Sequence, residues 1–480
     1  MRIVASWTNA LPLLLPVIAV VPAVAPTPAR AQTLDAPVRY DTDLPSVDFH
    51  GSRREAVLEA LPDGALAIVF GAPRRNRSND VWYEYRQSSD LLYLTGSHEP
   101  GSVLLLAPGG MDVDGRRVRE LLFVPPRDPD QEVWLGRRFG AERAMAVLGI
   151  DLAVDATRFA EVAGPLLSEL HVFHLPLPDA VPSGSLLHGQ LTVFSELVTT
   201  DVGDDPPGPD ASRLRAILDD LRTVKTDEEL QLLRRAIDIT AEAHRAVMQE
   251  LEPGWHEYEI EALVEYTFKR RGAEHAGFPS IVGSGENSVI LHYETNRRRV
   301  EAGDVVVIDI GAELHGYAAD LTRTLPADGR FSAEQRAVYE LVYRAQEAGI
   351  DAARAGNPFS APHSAARGVL AEGLSALGLI DGPDDESGLR RFFMHGTSHY
   401  LGLDVHDVGS RGPLRPGAVL TVEPGVYIPA ADDIEPRWWN IGVRIEDDIL
   451  VTEDAPVVLS AGVPRQVDAV ETLMRQRPGR

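Results

Sequence analysis

Five residues between positions 305 and 449 carry side chains that bind hard or borderline metal ions: Asp309, Asp320, His399, Glu423 and Glu446. The two aspartates lie in VVVIDIGAELHGYAADLTRTLP, which reads as two β-branched strands joined by a turn near His315-Gly316. Positions 309 and 320 are equidistant from the pair Leu314/His315. A turn closing there sets the two carboxylates opposite each other on one face of the hairpin. Like charges so placed oppose strand pairing unless a cation lies between them. VLTVEPG and VRIEDDILV likewise embed acids in apolar runs, where an uncompensated charge is expensive. Four carboxylates and one imidazole, with no thiol, favour ions such as Mn²⁺ over a structural zinc.

The motifs DIGAELHGYAADLTRT, MHGTSHYLGLDVHDVG, LTVEPGVYI and GVRIEDD keep the order Asp, Asp, His, Glu, Glu. In these motifs the chain resembles the metal-dependent, proline-specific peptidases of the pita-bread fold. Among them it is most similar to the Xaa-Pro aminopeptidase (aminopeptidase P) family. YRQSSDLLYLTGSHEP and RDPDQEVWLGRRFGAERA resemble that family's non-catalytic first domain, and LRTVKTDEELQLLRRAIDIT resembles the start of its catalytic domain. The resemblance spans roughly residues 40–480.

The resemblance implies two divalent ions, with Mn²⁺ favoured over Zn²⁺, Co²⁺ or Fe²⁺. Asp309 would chelate one ion, Asp320 and Glu446 would bridge the pair, and His399 and Glu423 would complete the other. Ions so held would share a water and lower its pKa, and the resemblance implies attack by that water on the carbonyl carbon before proline, with Glu423 accepting its proton. His292, His395 and His406 match positions lining the substrate site. His406 would hold the peptide backbone and the tetrahedral oxyanion, His395 would flank the proline ring, and His292 would reach the scissile carbonyl. The plain alternative for each is a capped loop histidine. Arg444, two residues before Glu446, matches an arginine that orients an acidic ligand, and Tyr427 occupies a corresponding place after Glu423-Pro424-Gly425.

The implied reaction releases the N-terminal residue from peptides with proline in second position. An Xaa-Pro bond has no N–H and a ring-fixed φ, so a peptidase that reads the N–H fails on it. Prolidase, acting on Xaa-Pro dipeptides with the same metal site, is the nearest alternative. Thr397-Ser398 before His399 and the character of the first domain side with the aminopeptidase. A metal-free creatinase-like enzyme and a non-catalytic binding protein are disfavoured by the intact set of ligands. Neither a G-x-S-x-G elbow nor an H-E-x-x-H motif occurs.

The elements that must position these residues read as an α/β (α+β) chain. The expectation is a creatinase-like α/β domain at 32–205, then a pita-bread catalytic domain at 206–480 with a curved, mostly antiparallel sheet covered by helices. In the first, strand-like runs fall at 65–70, 91–94, 103–106 and 120–124, and helical patterns at 49–60, 140–148 and 158–170. An acidic, Pro- and Gly-rich stretch at 199–212 reads as a linker. Thr226 and Glu229 then form a capping box, and His244 falls on the apolar stripe that follows, which predicts a core histidine. Further helices are expected at 257–270, 333–355 and 362–377. A strand-like SVIL precedes His292, one strand ends at Glu423, and another runs through 444–446.

The chain has 480 residues and a net charge of −26, far from the basic footprint of a nucleic-acid binder. It has no cysteine, which excludes disulfides and thiolate zinc sites. Residues 1–31 read as an export signal: Arg2, an apolar stretch at 11–24, and an A-x-A site at Ala29 to Ala31. Pro12, Pro16 and Pro22 argue against a stable membrane span. A periplasmic or secreted enzyme is expected, and the resemblance implies a homo-oligomer associating through the first domain.

Overall fold

The structure, a computed structural model, describes residues 40–198 and 210–476. The expected signal segment and most of the 199–212 linker lie outside the described residues.

The N-terminal half comprises α1 (Val47–Ala60), β1 (Ala65–Phe70), a ribbon of β2 (Asn76–Ser78) and β3 (Val81–Trp82), and α2 (Ser89–Thr95). These are followed by β4 (Val103–Val113), β5 (Arg116–Val124), α3 (Pro129–Leu135), α4 (Gly140–Leu148), β6 (Leu152–Asp155), α5 (Phe159–Glu169), β7 (His171–His174) and α6 (Leu186–Val198). The wholly apolar β1, buried along its length, lies inside a sheet of order β6-β5-β4-β1-β7. It is antiparallel to β4 and parallel to β7. Strand alternation with helices on this mixed sheet matches the expected α/β layer.

The run 91–94, expected as a strand, is instead the middle of helix α2. Ser88 accepts the Leu91 N–H at the N-cap, and Gly96, at φ 65°, closes the C-cap. Periodicity cannot separate helix from strand in so short an apolar run, because every side chain is buried.

The catalytic half opens with α7 (Ser212–Thr223), α8 (Asp227–Glu250) and α9 (Glu257–Arg270). Thr226 and Glu229 cap α8 reciprocally, as their spacing predicts, and His244 is fully buried on its inner face. Then come β8 (His275–Ala276), β9 (Ile281–Ser284), β10 (Val305–Ile310), β11 (Ala312–Leu314), β12 (Tyr317–Ala318) and β13 (Leu321–Pro326). Two helices, α10 (Ala333–Ala352) and α11 (Ala361–Ala376), precede β14 (Val419–Val422), β15 (Gly425–Ile428), β16 (Ile441–Arg444) and β17 (Asp447–Leu450). Every ladder described in this half is antiparallel. One large core joins β9, β10, β11, β13, β15 and β16 to α8, α9, α10 and α11, as the expected helix-covered sheet requires.

Three local expectations are corrected. First, the hairpin centre is displaced by one residue: Leu314 pairs with Tyr317, and Asp309 pairs with Thr322 rather than with Asp320. Parity is kept, so both aspartates remain on one face, diagonally related. Second, Ser288–Leu291 is not a strand: a 3₁₀ turn at Gly285–Val289 leads into the loop bearing His292. Third, the strand expected through 444–446 ends at Arg444, and Glu446 sits in the step to β17. There the chain changes partners, from β15 for β16 to β14 for β17.

Candidate metal centre

Asp309 is the penultimate residue of β10 and Asp320 precedes β13, while Glu423 follows β14 and Glu446 lies between β16 and β17. Strand ends turn these acids toward one cavity of about 300 Å³, and His399 reaches it from the loop before β14. The same cavity is lined by His292, His395, His406, Tyr427 and Arg444. All ten residues singled out in the sequence therefore meet at one place.

Ligand-capable atoms of Asp320, His399 and Glu446 lie within 4.8 Å of one another. His399 Nε2 stands 3.3 Å from Asp320 Oδ2 and 3.8 Å from Glu423 Oε1. Its Nδ1 lies 2.9 Å from the Tyr400 carbonyl, which can only accept, so Nδ1 carries the proton. Burial keeps this ring neutral, lowering its pKa to about 4. The Nε2 lone pair thus faces two carboxylates, an arrangement that a cation between them resolves.

The acids carry the same signature. Burial, followed by repulsion from neighbouring carboxylates, pushes Asp320, Glu423 and Glu446 well above the usual carboxylate range. Asp309 Oδ1 and Asp320 Oδ1 are buried with no hydrogen-bond partner, although buried polar atoms are nearly always satisfied. The donor set fits one or more divalent cations.

The remaining groups form an ordered shell. Arg444 donates through Nη2 to Asp309 Oδ2 (2.5 Å), through Nη1 to the Tyr427 hydroxyl (3.1 Å), and through Nε to Thr322 Oγ1 (3.2 Å). Its acidic partner is thus Asp309, across the sheet, and not its near neighbour Glu446. The Tyr427 hydroxyl lies 2.9 Å from His395 Nε2, and His395 Nδ1 is 2.7 Å from the Gly396 carbonyl. The relay therefore runs Arg444 to Tyr427 to His395 to a backbone oxygen. Burial and the Arg444 charge hold His395 neutral, at about 4. The His399 and His406 rings are 4.3 Å apart.

Sequence reasoning missed Thr322, whose hydroxyl donates to Glu446 Oε2 at 2.7 Å, and Asp448, which accepts the Asp320 N–H at 3.3 Å. Asp448 was visible as the second acid after Glu446 in RIEDD. Thr322 gave no signal, since a threonine in a strand is ordinary.

Buried carboxylates facing a neutral imidazole at the ends of antiparallel strands mark a site for divalent metal. The sequence profile of "Metallopeptidase family M24" matches residues 231–453, and that of "Aminopeptidase P, N-terminal domain" matches residues 50–173. The Xaa-Pro aminopeptidase of Escherichia coli K12 is 38% identical over 434 residues, covering 88% of this chain and 96% of the relative. That of Haemophilus influenzae is 37% identical, covering 91% and 99%. The solved structure of E. coli aminopeptidase P with the inhibitor Pro-Leu superposes with a TM-score of 0.82 at 36% identity, covering 90% of this chain and 99% of that one. The chain belongs to the Xaa-Pro aminopeptidases of metallopeptidase family M24. Membership in a metallopeptidase family implies divalent metal ions.

Proposed function

We propose that this enzyme removes the N-terminal residue from peptides whose second residue is proline, with Asp309, Asp320, His399, Glu423 and Glu446 holding two divalent ions, Mn²⁺ by preference. The observation that carries this reading is the meeting of all five side chains, with His292, His395 and His406, in one cavity. Divalent ions held there supply Lewis acidity, lowering the pKa of a water and polarising the scissile carbonyl. Glu423, on the cavity wall beside His399, takes the water's proton. His406 binds the peptide backbone and the developing oxyanion. His395, held neutral and oriented through Tyr427 and Arg444, lines the proline ring, and His292 donates near the scissile carbonyl. The bond broken is that between the first residue's carbonyl carbon and the proline nitrogen. The products are a free amino acid and a peptide beginning with proline.

The decisive experiment is a peptide panel read against added Mn²⁺, Zn²⁺, Co²⁺ and Fe²⁺. Cleavage of Ala-Pro-Ala between its first two residues, fastest with Mn²⁺ and absent for Ala-Ala-Ala, is expected. Cleavage of Ala-Pro alone would instead mark a dipeptidase. Three further points belong to the same reading. Domains at 32–205 and 206–480 follow a cleaved signal at 1–31, and the mature enzyme is periplasmic or secreted; N-terminal sequencing of protein from the exported fraction tests this. The enzyme self-associates through its first domain, where Trp82, Tyr83, Val133 and Trp134 are exposed, an apolar surface that a second copy would cover.

A further inference from the structure

Behind the loop that carries His406 lies a second, buried cluster of charges that the reaction above does not use. Residues 400–407 close on themselves: the Asp407 N–H donates to the Tyr400 carbonyl at 2.9 Å, and Tyr400 directly follows His399. The loop thus ties a candidate ligand to a substrate-binding histidine. It is fastened by Asp407, whose side chain is 1% exposed. Asp407 Oδ1 accepts from Arg222 Nη2 at 2.5 Å, and Oδ2 accepts from Lys225 Nζ at 3.0 Å. Arg222, itself 2% exposed, also donates to Asp404 Oδ2 and to Asp90 Oδ1, each at 2.7 Å. Lys225 donates in addition to the Arg222 carbonyl at 2.7 Å. Gly402 packs directly on the pair, for a Cβ there would stand 2.1 Å from Asp407 Oδ2.

The grip extends across the molecule. Asp90 and Ser89 belong to α2 of the N-terminal half, and Ser89 Oγ donates to Asp404 Oδ1 at 2.7 Å. Arg86 donates to the Leu403 carbonyl and, at 3.0 and 2.8 Å, to both oxygens of Glu313. Arg222 and Lys225 lie at the joint between α7 and α8, so two separate parts of the chain seize one catalytic loop. Ion pairs buried this deeply are poor devices for stability alone, since desolvation offsets much of their attraction. They are good devices for fixing one geometry, and misplacing a reacting group by about 1 Å costs on the order of 100-fold in rate.

We propose that Arg222 and Lys225 are positioning residues for hydrolysis: by clamping Asp407 they set the place of His406, and the N-terminal half contributes to turnover through α2. The proposal rests on the reading of His406 as a substrate-binding residue given above. Its test uses the full-length, metal-loaded enzyme and the variants Lys225→Met, Lys225→Arg, Asp407→Asn and Ser89→Ala, each alone and combined with His406→Ala. The readouts are kcat and KM on Ala-Pro-Ala, bound metal by elemental analysis, and thermal unfolding.

Lys225→Met and Asp407→Asn are expected to lower kcat and kcat/KM together by about 10–100-fold, with bound metal unchanged. Lys225→Arg should recover most of the loss. In the His406→Ala background the same changes should cost nothing further, because both act through one ring. Ser89→Ala leaves every buried charge in place and should show a smaller loss with the same pattern, which keeps the test decisive if a charge variant does not fold. Losses that add fully to that of His406→Ala, or unchanged kcat/KM in folded variants, overturn the clamp. Intact turnover in His406→Ala alone overturns the reading of His406 and this proposal with it, a signature distinct from additivity.

Discussion

Thr322 shows how much of this site rests on residues without catalytic chemistry. Its hydroxyl stands between Glu446 and Arg444, so Thr322→Val should lower metal affinity or kcat/KM by about 10–100-fold; calorimetric Mn²⁺ titration beside kinetics measures this. Asp309→Ala and Glu446→Ala, which remove whole ligands, should abolish turnover while circular dichroism stays native. Near-wild-type activity in either, with Mn²⁺ present, would refute the ligand assignment. His244 supports a prediction about pH. Burial, aided by the charge of Arg323, lowers its imidazole to about 3. Below the unfolded value of 6.5 the unfolded chain takes up a proton that the folded chain refuses. Its contribution to stability is complete above pH 6.5 and is lost as pH falls toward 3. Between pH 6.5 and 5 this amounts to about 2 kcal/mol, and His244→Leu should flatten the dependence of the unfolding midpoint over that range. Asp309, Glu423 and Glu446 were legible because a charge inside an apolar run is anomalous, and loop-borne His399 through the motif that contains it, whereas a polar neighbour such as Thr322 is ordinary.

At the scale of elements, the β10–β13 hairpin determines where the first two acids point. Its break falls at Gly311, where an added Cβ would stand 1.8 Å from the Ala319 carbonyl oxygen. Gly311→Ala must therefore part the strands between Asp309 and Asp320. It is expected to abolish turnover and to destabilise by about 1–3 kcal/mol, read from kinetics and a denaturation midpoint. The sequence marked this hairpin and the turn at His315, which holds φ 52°, but placed the centre one residue early. Counting along strands assumes an unbroken ladder, and the glycine that interrupts it looks like any other. Longer helical patterns fared better: α4 and α9 have the limits that their sequences predict, although no side chain caps the start of α4. α2 was misread because four buried apolar residues have no period to read.

For the whole molecule, the two-part architecture followed from motifs spread along the chain, and nothing in its composition would have given it. Composition did exclude any disulfide. No helix among the described residues is long and apolar enough to cross a membrane. The exposed aromatic face of the first domain was not readable, because exposure depends on which side of α3 and the β2–β3 ribbon meets the core. Trp134 is 83% exposed. Trp134→Glu should reduce the sedimentation coefficient to that of a monomer while cleavage of Ala-Pro-Ala persists, and an unchanged coefficient would remove this face as the contact.

The guanidinium of Arg444 already rests on Asp309, fixed in turn by Tyr427 and Thr322. One wall of the cradle is thereby braced by a positive charge that belongs to the protein. Stripping the enzyme with a chelator should accordingly be an exchange and not an unfolding, leaving a receptive shell that different cations can enter in succession. Which ion the enzyme carries would then reflect the supply in its surroundings as much as the shape of the protein.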